Sequence, residues 1–273
     1  MIMRVSGKTK LYGILGNPVS HSLSPVMHNA AFAEKKIDAV YVPFATTDLK
    51  MAVDGIRGLC VKGASVTIPY KEEVAVYLDD VAPVAKKIGA VNTIICEGDK
   101  LVGINTDWRG ACRALEDKIV LSQKKVVLLG AGGAARAIGF GMKEKDVELC
   151  LVSRTESRGK KLADELDCPW VSLTDVVKQH GDILINATSI GMVPDIGKSP
   201  VPDSVLPRFQ VVMDIVYAPM KTHLLTAAEQ AGCEIINGLE MLLYQGVAQF
   251  EMWTGAKAPV ETMRQALLKA LQK

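Results

Sequence analysis

The sequence predicts an α/β fold made of two α/β domains, and three observations predict it. Short continuous runs of Val, Ile and Leu alternate with longer amphipathic stretches almost from end to end. Such runs mark buried strands joined by helices, and hence parallel sheets covered on both faces. Near the middle, a glycine-rich turn separates one apolar strand from a helix of small residues, and two more helices close the chain after the last strand signal.

Taken in order, the apolar runs place strands at 11–15, 40–44, 64–68, 91–96, 126–129, 149–152, 183–186 and 211–215. Helical patterning falls between them at 24–34, 48–59, 107–115, 133–143 and 157–166, and the closing helices span 239–253 and 260–271. The style of the chain changes over 104–125: earlier strands carry polar tips such as Thr67 and Asn92, and later the glycine-rich turn appears. The helix beginning near Asp107 therefore reads as the bridge between domains. The segment 192–208, with four prolines, is the longest expected irregular loop.

Composition narrows the function. A chain of 273 residues has room for two modest domains, and 49% hydrophobic with 23% charged residues fits a well-packed soluble protein. Lys and Arg number 32 against 30 acidic residues, which argues against a dedicated nucleic-acid binder. The apolar stretch 11–15 is too short for a signal peptide and leads into Gly-Asn-Pro. No apolar run approaches the ~20 residues needed to span a bilayer, so no membrane association and a cytoplasmic location are expected. The six cysteines contain no C-x-x-C pair, and the four histidines lack zinc spacing; no metal is expected. The cysteines read as small buried hydrophobes.

The stretch 124–142, KKVVLLGAGGAARAIGFGM, is a strand, a Gly-x-Gly-x-x-Ala turn and a helix. Gly130 permits the tight turn, Gly132 the close approach of a pyrophosphate, and Ala135 close packing of helix on strand. The helix N-terminus then offers backbone N–H groups to phosphate. The alternative is a tight strand-to-helix turn without a ligand. The next strand runs into SRTESR, where NAD-binding domains carry an acid for the ribose 2′-OH. Here Ser153, Arg154 and Thr155 stand at that place, with Arg158 a turn later. A guanidinium grips a planar phosphate through paired donors, so NADP rather than NAD is the expected cofactor. The competing view makes both arginines solvated surface charges. A third signal is NATSIGM at 186–192, whose Thr188 and Ser189 either line the cofactor site or cap a turn.

Reduction of a carbonyl by hydride also requires a proton donor. No histidine stands at a convincing strand end. Lys71 follows SVTIPY directly, and Asp107 opens a helix after GINT. A lysine beside a carboxylate in a partly closed site can shuttle a proton. Their ordinary alternatives are a solvated lysine and a helix N-cap. The cluster SHSLSPVMH at 20–28 sits between the first strand and a helix, where its hydroxyls and helix N–H groups face an anion better than a metal. Pro25 suits the first helical position, and His21 and His28 are expected to position the turn.

HSLSP, SVTIPYK, GAVNT, GINTD, GAGGAARA, NATSIGM, DIVYAPMKTHLL and GLEMLLYQG, in this order over residues 13 to about 250, resemble the shikimate dehydrogenase family. The resemblance implies a substrate domain of residues 1–106 plus 238–273 facing a Rossmann NADP-binding domain, 107–237, across a cleft. The implied reaction is the reversible reduction of 3-dehydroshikimate to shikimate by NADPH. The resemblance makes Lys71 and Asp107 the catalytic pair. It puts Ser22 and Ser24 on the substrate carboxylate with Thr67 nearby, Asn92 and Asp107 on ring hydroxyls, and Gln245 and Tyr217 against the substrate. For the cofactor it implies Gly130, Ala131, Gly132, Gly133 and Ala134 at the phosphates, and Ser153, Arg154, Thr155 and Arg158 at the 2′-phosphate. Thr188 and Ser189 join them, and Gly238 and Met241 flank the nicotinamide. Ser153 departs from the Asn common in the family. Partners beyond the small-molecule substrate are not expected, and the assembly is a monomer or homodimer. Two other functions stay open: a quinate/shikimate dehydrogenase with broader NAD(P) use, and a catalytically silent NADP-binding sensor.

Overall fold

The structure is a computed structural model that describes residues 5–272. The chain divides into two compact units: one runs up to Thr106 and resumes at Gln245, and the other is Asp107–Tyr244. The sequence expectation placed the return at 238; the division falls inside the long helix that follows Asn237.

The first unit contains β1 (Lys10–Gly16), α1 (Ser24–Glu34), β2 (Ala39–Ala45), α2 (Leu49–Gly58), β3 (Gly63–Val66), β4 (Asp80–Val81), α3 (Pro83–Ile88), β5 (Thr93–Glu97) and β6 (Lys100–Ile104). Its sheet has the order β2-β1-β3-β5-β6-β4. Strands β2, β1 and β3 are parallel, in register from Lys10↔Ala39 and from Tyr12↔Gly63. The sheet is mixed rather than all parallel as expected, because β5 runs antiparallel to both β3 and β6. An apolar run carries no direction; the turn does. Glu97 pairs with Lys100, leaving Gly98 and Asp99 as a two-residue hairpin loop, with Gly98 at φ +62° in the first position. One core packs Leu15, Val53, Ile56, Val66, Ile94 and Leu101 together. On α1, β1 and β2, Tyr12, His28, Phe32 and Tyr41 pack with Phe250 and Trp253 as an aromatic cluster.

The second unit contains α4 (Asp107–Glu116), β7 (Lys125–Leu129), α5 (Gly133–Lys143), β8 (Glu148–Ser153), α6 (Glu156–Glu165), β9 (Trp170–Ser172), β10 (Ile183–Asn186), β11 (Val211–Asp214), α7 (His223–Gln230) and β12 (Glu234–Ile236). Then α8 (Gly238–Thr254) spans the division, and α9 (Val260–Leu271) belongs to the first unit. All pairings in the second sheet are parallel, in the order β12-β11-β10-β7-β8-β9. The chain builds outward from β7 in one direction, then returns to β10 and builds in the other. The switch point therefore lies between β7 and β10, where doubly wound sheets receive dinucleotides. Residue alternation puts Val126, Leu128, Ile183 and Ile185 on one face and Val127, Leu129 and Leu184 on the other.

The expected irregular loop 192–208 ends in a single 3-10 turn, Asp203–Arg208. Short elements such as α3, β9 and β12 left too little periodicity to be read. Among the described residues no helix is long and apolar enough to cross a membrane, and no cluster of His, Cys, Asp and Glu is arranged to hold a metal.

Candidate functional site

In the first unit, Ser24 begins α1 and is buried, and Ser22 just ahead of it is half-buried. The Ser24 amide donates to Ser22 Oγ at 3.3 Å, and Leu23 at the N-cap supplies no side-chain hydrogen bond. Pro25 occupies the second helical position, one later than expected, where its missing N–H is still harmless. His28 is fully buried and stacks on Tyr41 at 4.6 Å, and among the described residues neither ring nitrogen has a hydrogen-bond partner. Burial drives its pKa down to about 3, opposed only partly by the nearby Gln249 side chain, so the ring is neutral packing material. His21 is exposed.

Thr67 follows β3, and its amide donates to Leu15 O at 2.9 Å. Lys71 is half-buried, and its carbonyl accepts from the Val91 amide at 2.7 Å, tying the lysine turn to the residue before Asn92. Asn92 is buried at the entry to β5. Its Oδ1 accepts from the Thr106 amide at 2.8 Å and from Thr93 Oγ1 at 2.7 Å. Its Nδ2 donates to Thr106 Oγ1 at 3.0 Å and reaches Gln245 Oε1 at 3.5 Å. The structure thus brings Asn92 and Gln245 together. It adds three residues that sequence reasoning missed: Ser65, Thr106 and Gln249, all buried. Gln249 lies one helical turn from Gln245, which was the available signal.

In the second unit, Asp107 opens α4 and is buried despite its charge. Gly130 leaves β7 at φ +117°, its amide donating to Val152 O at 2.8 Å. A Cβ at Gly130 would stand 3.0 Å from Ala187 O, so this turn and the end of β10 need the glycine to come so close. Gly132 is exposed, and a Cβ there would meet nothing within 4 Å. It is the N-cap of α5 and gives no side-chain hydrogen bond to the helix start. The half-buried Ala131, Gly133 and Ala134 complete the turn. Backbone N–H groups beside open space form a cradle that fits a pyrophosphate.

At the end of β8, Arg154, Thr155 and Arg158 are exposed. Ser153 differs: it is buried, its hydroxyl donates to Thr155 O at 3.1 Å and accepts from Trp170 Nε1 at 2.9 Å. At the end of β10, Asn186 Oδ1 accepts from the Thr188 amide and hydroxyl, and Ser189 is exposed. Asn186 Nδ2 donates to Asp214 Oδ1, which also accepts from the Val216 amide, while Thr222 Oγ1 donates to Oδ2. Burial outweighs these three bonds and raises the Asp214 pKa to about 6. This carboxylate ties the Thr188 turn to the segment that carries Tyr217, whose pKa is also raised by burial. Gly238 lies so close to the Ile215 carbonyl that a side chain has no room, and Met241 is buried in the core. A depression lined by Lys125, Glu148, Pro169 and His180 lies at the amino ends of β7 and β8 and contains none of the expected site residues.

Comparison with known proteins decides the family. Residues 14–94 match the family described as the shikimate dehydrogenase substrate binding domain, and residues 238–268 match the shikimate 5′-dehydrogenase C-terminal domain. The chain is 46% identical over 266 residues to the shikimate dehydrogenase (NADP(+)) of Pyrococcus abyssi, covering 97% of this chain and 99% of that one. The chain belongs to the shikimate dehydrogenase family. The shikimate dehydrogenase (NADP(+)) of Methanocaldococcus jannaschii is 42% identical, over 98% of this chain and all of its relative. Among solved structures, a shikimate dehydrogenase in complex with NADP+ superposes with a TM-score of 0.94 at 40% identity, covering 99% of this chain and 98% of that one. The shikimate dehydrogenase of Thermus thermophilus, in complex with NADP(H) and shikimate, gives a TM-score of 0.91 at 35% identity, with 96% and 100% covered.

Proposed function

We propose that this chain catalyses the reversible reduction of 3-dehydroshikimate to shikimate with NADPH. The observation that carries the proposal is kinship along nearly the whole chain, at 46% identity, with an enzyme named for this activity and cofactor. The first unit is assigned to the substrate and the second to NADP, with residues 238–244 counted with the substrate domain.

The second unit fits the cofactor. Gly130, Ala131, Gly132, Gly133 and Ala134 would hold the pyrophosphate on backbone N–H groups, and Arg154, Thr155 and Arg158 the 2′-phosphate. Ser153 contributes to this clamp by holding the Thr155 carbonyl, and so the bend of the turn. Thr188, Ser189, Gly238 and Met241 would border the nicotinamide end. NADPH, when bound, supplies the hydride.

In reduction, the ketone carbon of the substrate takes hydride and its oxygen takes a proton, giving a hydroxyl. Lys71 and Asp107 hold and hand over that proton at the oxygen, and in the reverse direction they receive it. Ser22 and Ser24 donate to the substrate carboxylate, with Thr67 beside them. Asn92 and Asp107 bind ring hydroxyls, Gln245 contacts the substrate, and Tyr217 lies close to it. Each hydrogen bond a wrong substrate leaves unmade costs ~1–3 kcal/mol, which gives a small polar pocket its selectivity. The enzyme is assigned to the cytoplasm, as a monomer or homodimer.

The purified protein is tested with shikimate or quinate, each with NADP+ or NAD+, by absorbance of the reduced nicotinamide. Rapid turnover with shikimate and NADP+, at least tenfold above the other pairs in kcat/KM, is expected. The NAD+ arm matters because a Listeria monocytogenes relative with TM-score 0.90 and 36% identity was solved with shikimate and NAD. Silence in all four combinations would replace the proposal with a non-catalytic NADP sensor, and equal use of quinate with a broader quinate/shikimate dehydrogenase.

A further inference from the structure

Tyr41, Ser65, Gln249, Thr93, Asn92 and Thr106 of the first unit form one continuous hydrogen-bonded chain, and backbone groups fix its direction at two points. The Thr106 amide can only donate, so the atom of Asn92 facing it at 2.8 Å is the carbonyl oxygen. The Asn92 backbone carbonyl can only accept, so the Gln249 atom 3.3 Å from it is the amide nitrogen. Gln249 Nε2 also donates to Thr93 Oγ1 at 2.8 Å, and Thr93 in turn donates to Asn92 Oδ1 at 2.7 Å. On the other side Gln249 Oε1 accepts from Ser65 Oγ at 2.9 Å, and Ser65 accepts from the Tyr41 hydroxyl at 2.6 Å. The Tyr41 phenol is buried, and its bond to Ser65 opposes the rise in pKa that burial imposes.

The Asn92 oxygen accepts from Thr93 and from the Thr106 amide, which aims its NH2 edge at Thr106 Oγ1, 3.0 Å away, and at Gln245 Oε1, 3.5 Å away. The substrate grip at the entry to β5 is therefore set in part by Gln249 on α8, whose other side Ser65 holds.

We propose that Gln249 is a positioning residue for the substrate: its side-chain amide, held by Ser65, orients Asn92 through Thr93. This rests on the assignment of Asn92 to the substrate. Gln249 itself is fully buried and is not placed in contact with substrate.

The test compares Gln249→Ala, Ser65→Ala and Tyr41→Phe with the parent enzyme in steady-state kinetics and thermal melting. Losing one such link should raise the KM for shikimate about tenfold in Gln249→Ala and about threefold in Ser65→Ala, in proportion to a hydrogen bond of ordinary worth. The KM for NADP+ should stay within twofold, because the chain lies wholly in the other unit. In an Asn92→Ala background, Gln249→Ala should add less than 1.5-fold, since its effect runs through Asn92. A melting temperature that falls while the KM for shikimate holds would make the chain purely structural and overturn the proposal. So would full multiplication of the Gln249 and Asn92 effects. If Gln249→Ala does not fold, the milder Ser65→Ala and Tyr41→Phe decide by the same criteria. Ser24→Ala and Asn92→Ala serve as reference: if they leave the KM for shikimate untouched, the substrate assignment has failed, not the coupling alone.

Discussion

Two glycines of one turn should fail in different ways. At Gly130 the backbone sits at φ +117°, a conformation that costs an L-residue ~1–3 kcal/mol. An alanine Cβ there would also press on Ala187 O at 3.0 Å and Thr188 Cγ2 at 3.3 Å, adding about 1 kcal/mol of overpacking. The sum is roughly 2–4 kcal/mol, and a unit of this size loses ~2–4 °C per kcal/mol. Gly130→Ala should therefore melt about 5–15 °C lower and bind NADPH weakly, because the Thr188 turn is displaced. Gly132→Ala meets no atom within 4 Å and has an ordinary φ of −99°, so its melting temperature should hold within about 2 °C. Its methyl would occupy the space proposed for the pyrophosphate. Losing charge-assisted bonds of ~1.5–3 kcal/mol should weaken NADPH binding about 10- to 100-fold. Differential scanning calorimetry and NADPH fluorescence titration on both variants make the comparison. Unchanged affinity in Gly132→Ala would refute the assignment of this turn to phosphate, and an unchanged melting temperature in Gly130→Ala would refute the strain argument.

Other consequences can be checked separately. Arg154→Ala should raise the KM for NADPH at least tenfold and that for NADH less than twofold; equal changes would make Arg154 a surface charge. His28 has a folded pKa of about 3 against 6.5 for a free imidazole, so the unfolded chain binds the extra proton between those values. Its contribution to stability is present above pH 6.5 and is lost as pH falls toward 3; His28→Phe should flatten that limb of the melting profile by about one proton. Asp214 acts with opposite sign: with its pKa raised from 3.8 to about 6, its contribution is full below pH 3.8 and lost as pH rises through 6. Asp214→Asn should remove that slope, and an unchanged profile would show that the carboxylate is not perturbed.

Much of this architecture was legible because Val, Ile and Leu runs such as 126–129 and 183–186 can only be buried strands, and because the glycine turn sits between a strand and a helix. The direction of β5 was not legible, since its apolar run reads the same either way and only the Glu97–Lys100 hairpin reverses it. Motif residues such as Ser24, Asn92, Asp107 and Gly132 lie at strand and helix ends, where the motif spacing makes them legible. Ser65, Thr106 and Gln249 escaped notice. A buried serine, threonine or glutamine looks like a surface residue until its partners are known, and those partners lie up to 184 positions away. Ser153 shows the same limit: the sequence puts it in the proposed clamp, but only Trp170, 17 residues on, reveals how its hydroxyl is used.

The central claim is that Lys71 with Asp107 moves the proton while separate residues hold the cofactor. The most direct measurement is turnover of Lys71→Ala with shikimate and NADP+, alongside its NADPH dissociation constant in the same preparation. The account predicts kcat lower by about 10²–10⁴-fold, the range usual for a lost general acid–base, with NADPH affinity within twofold of the parent. Undiminished turnover, or a loss of NADPH affinity as large as the loss of turnover, would contradict it.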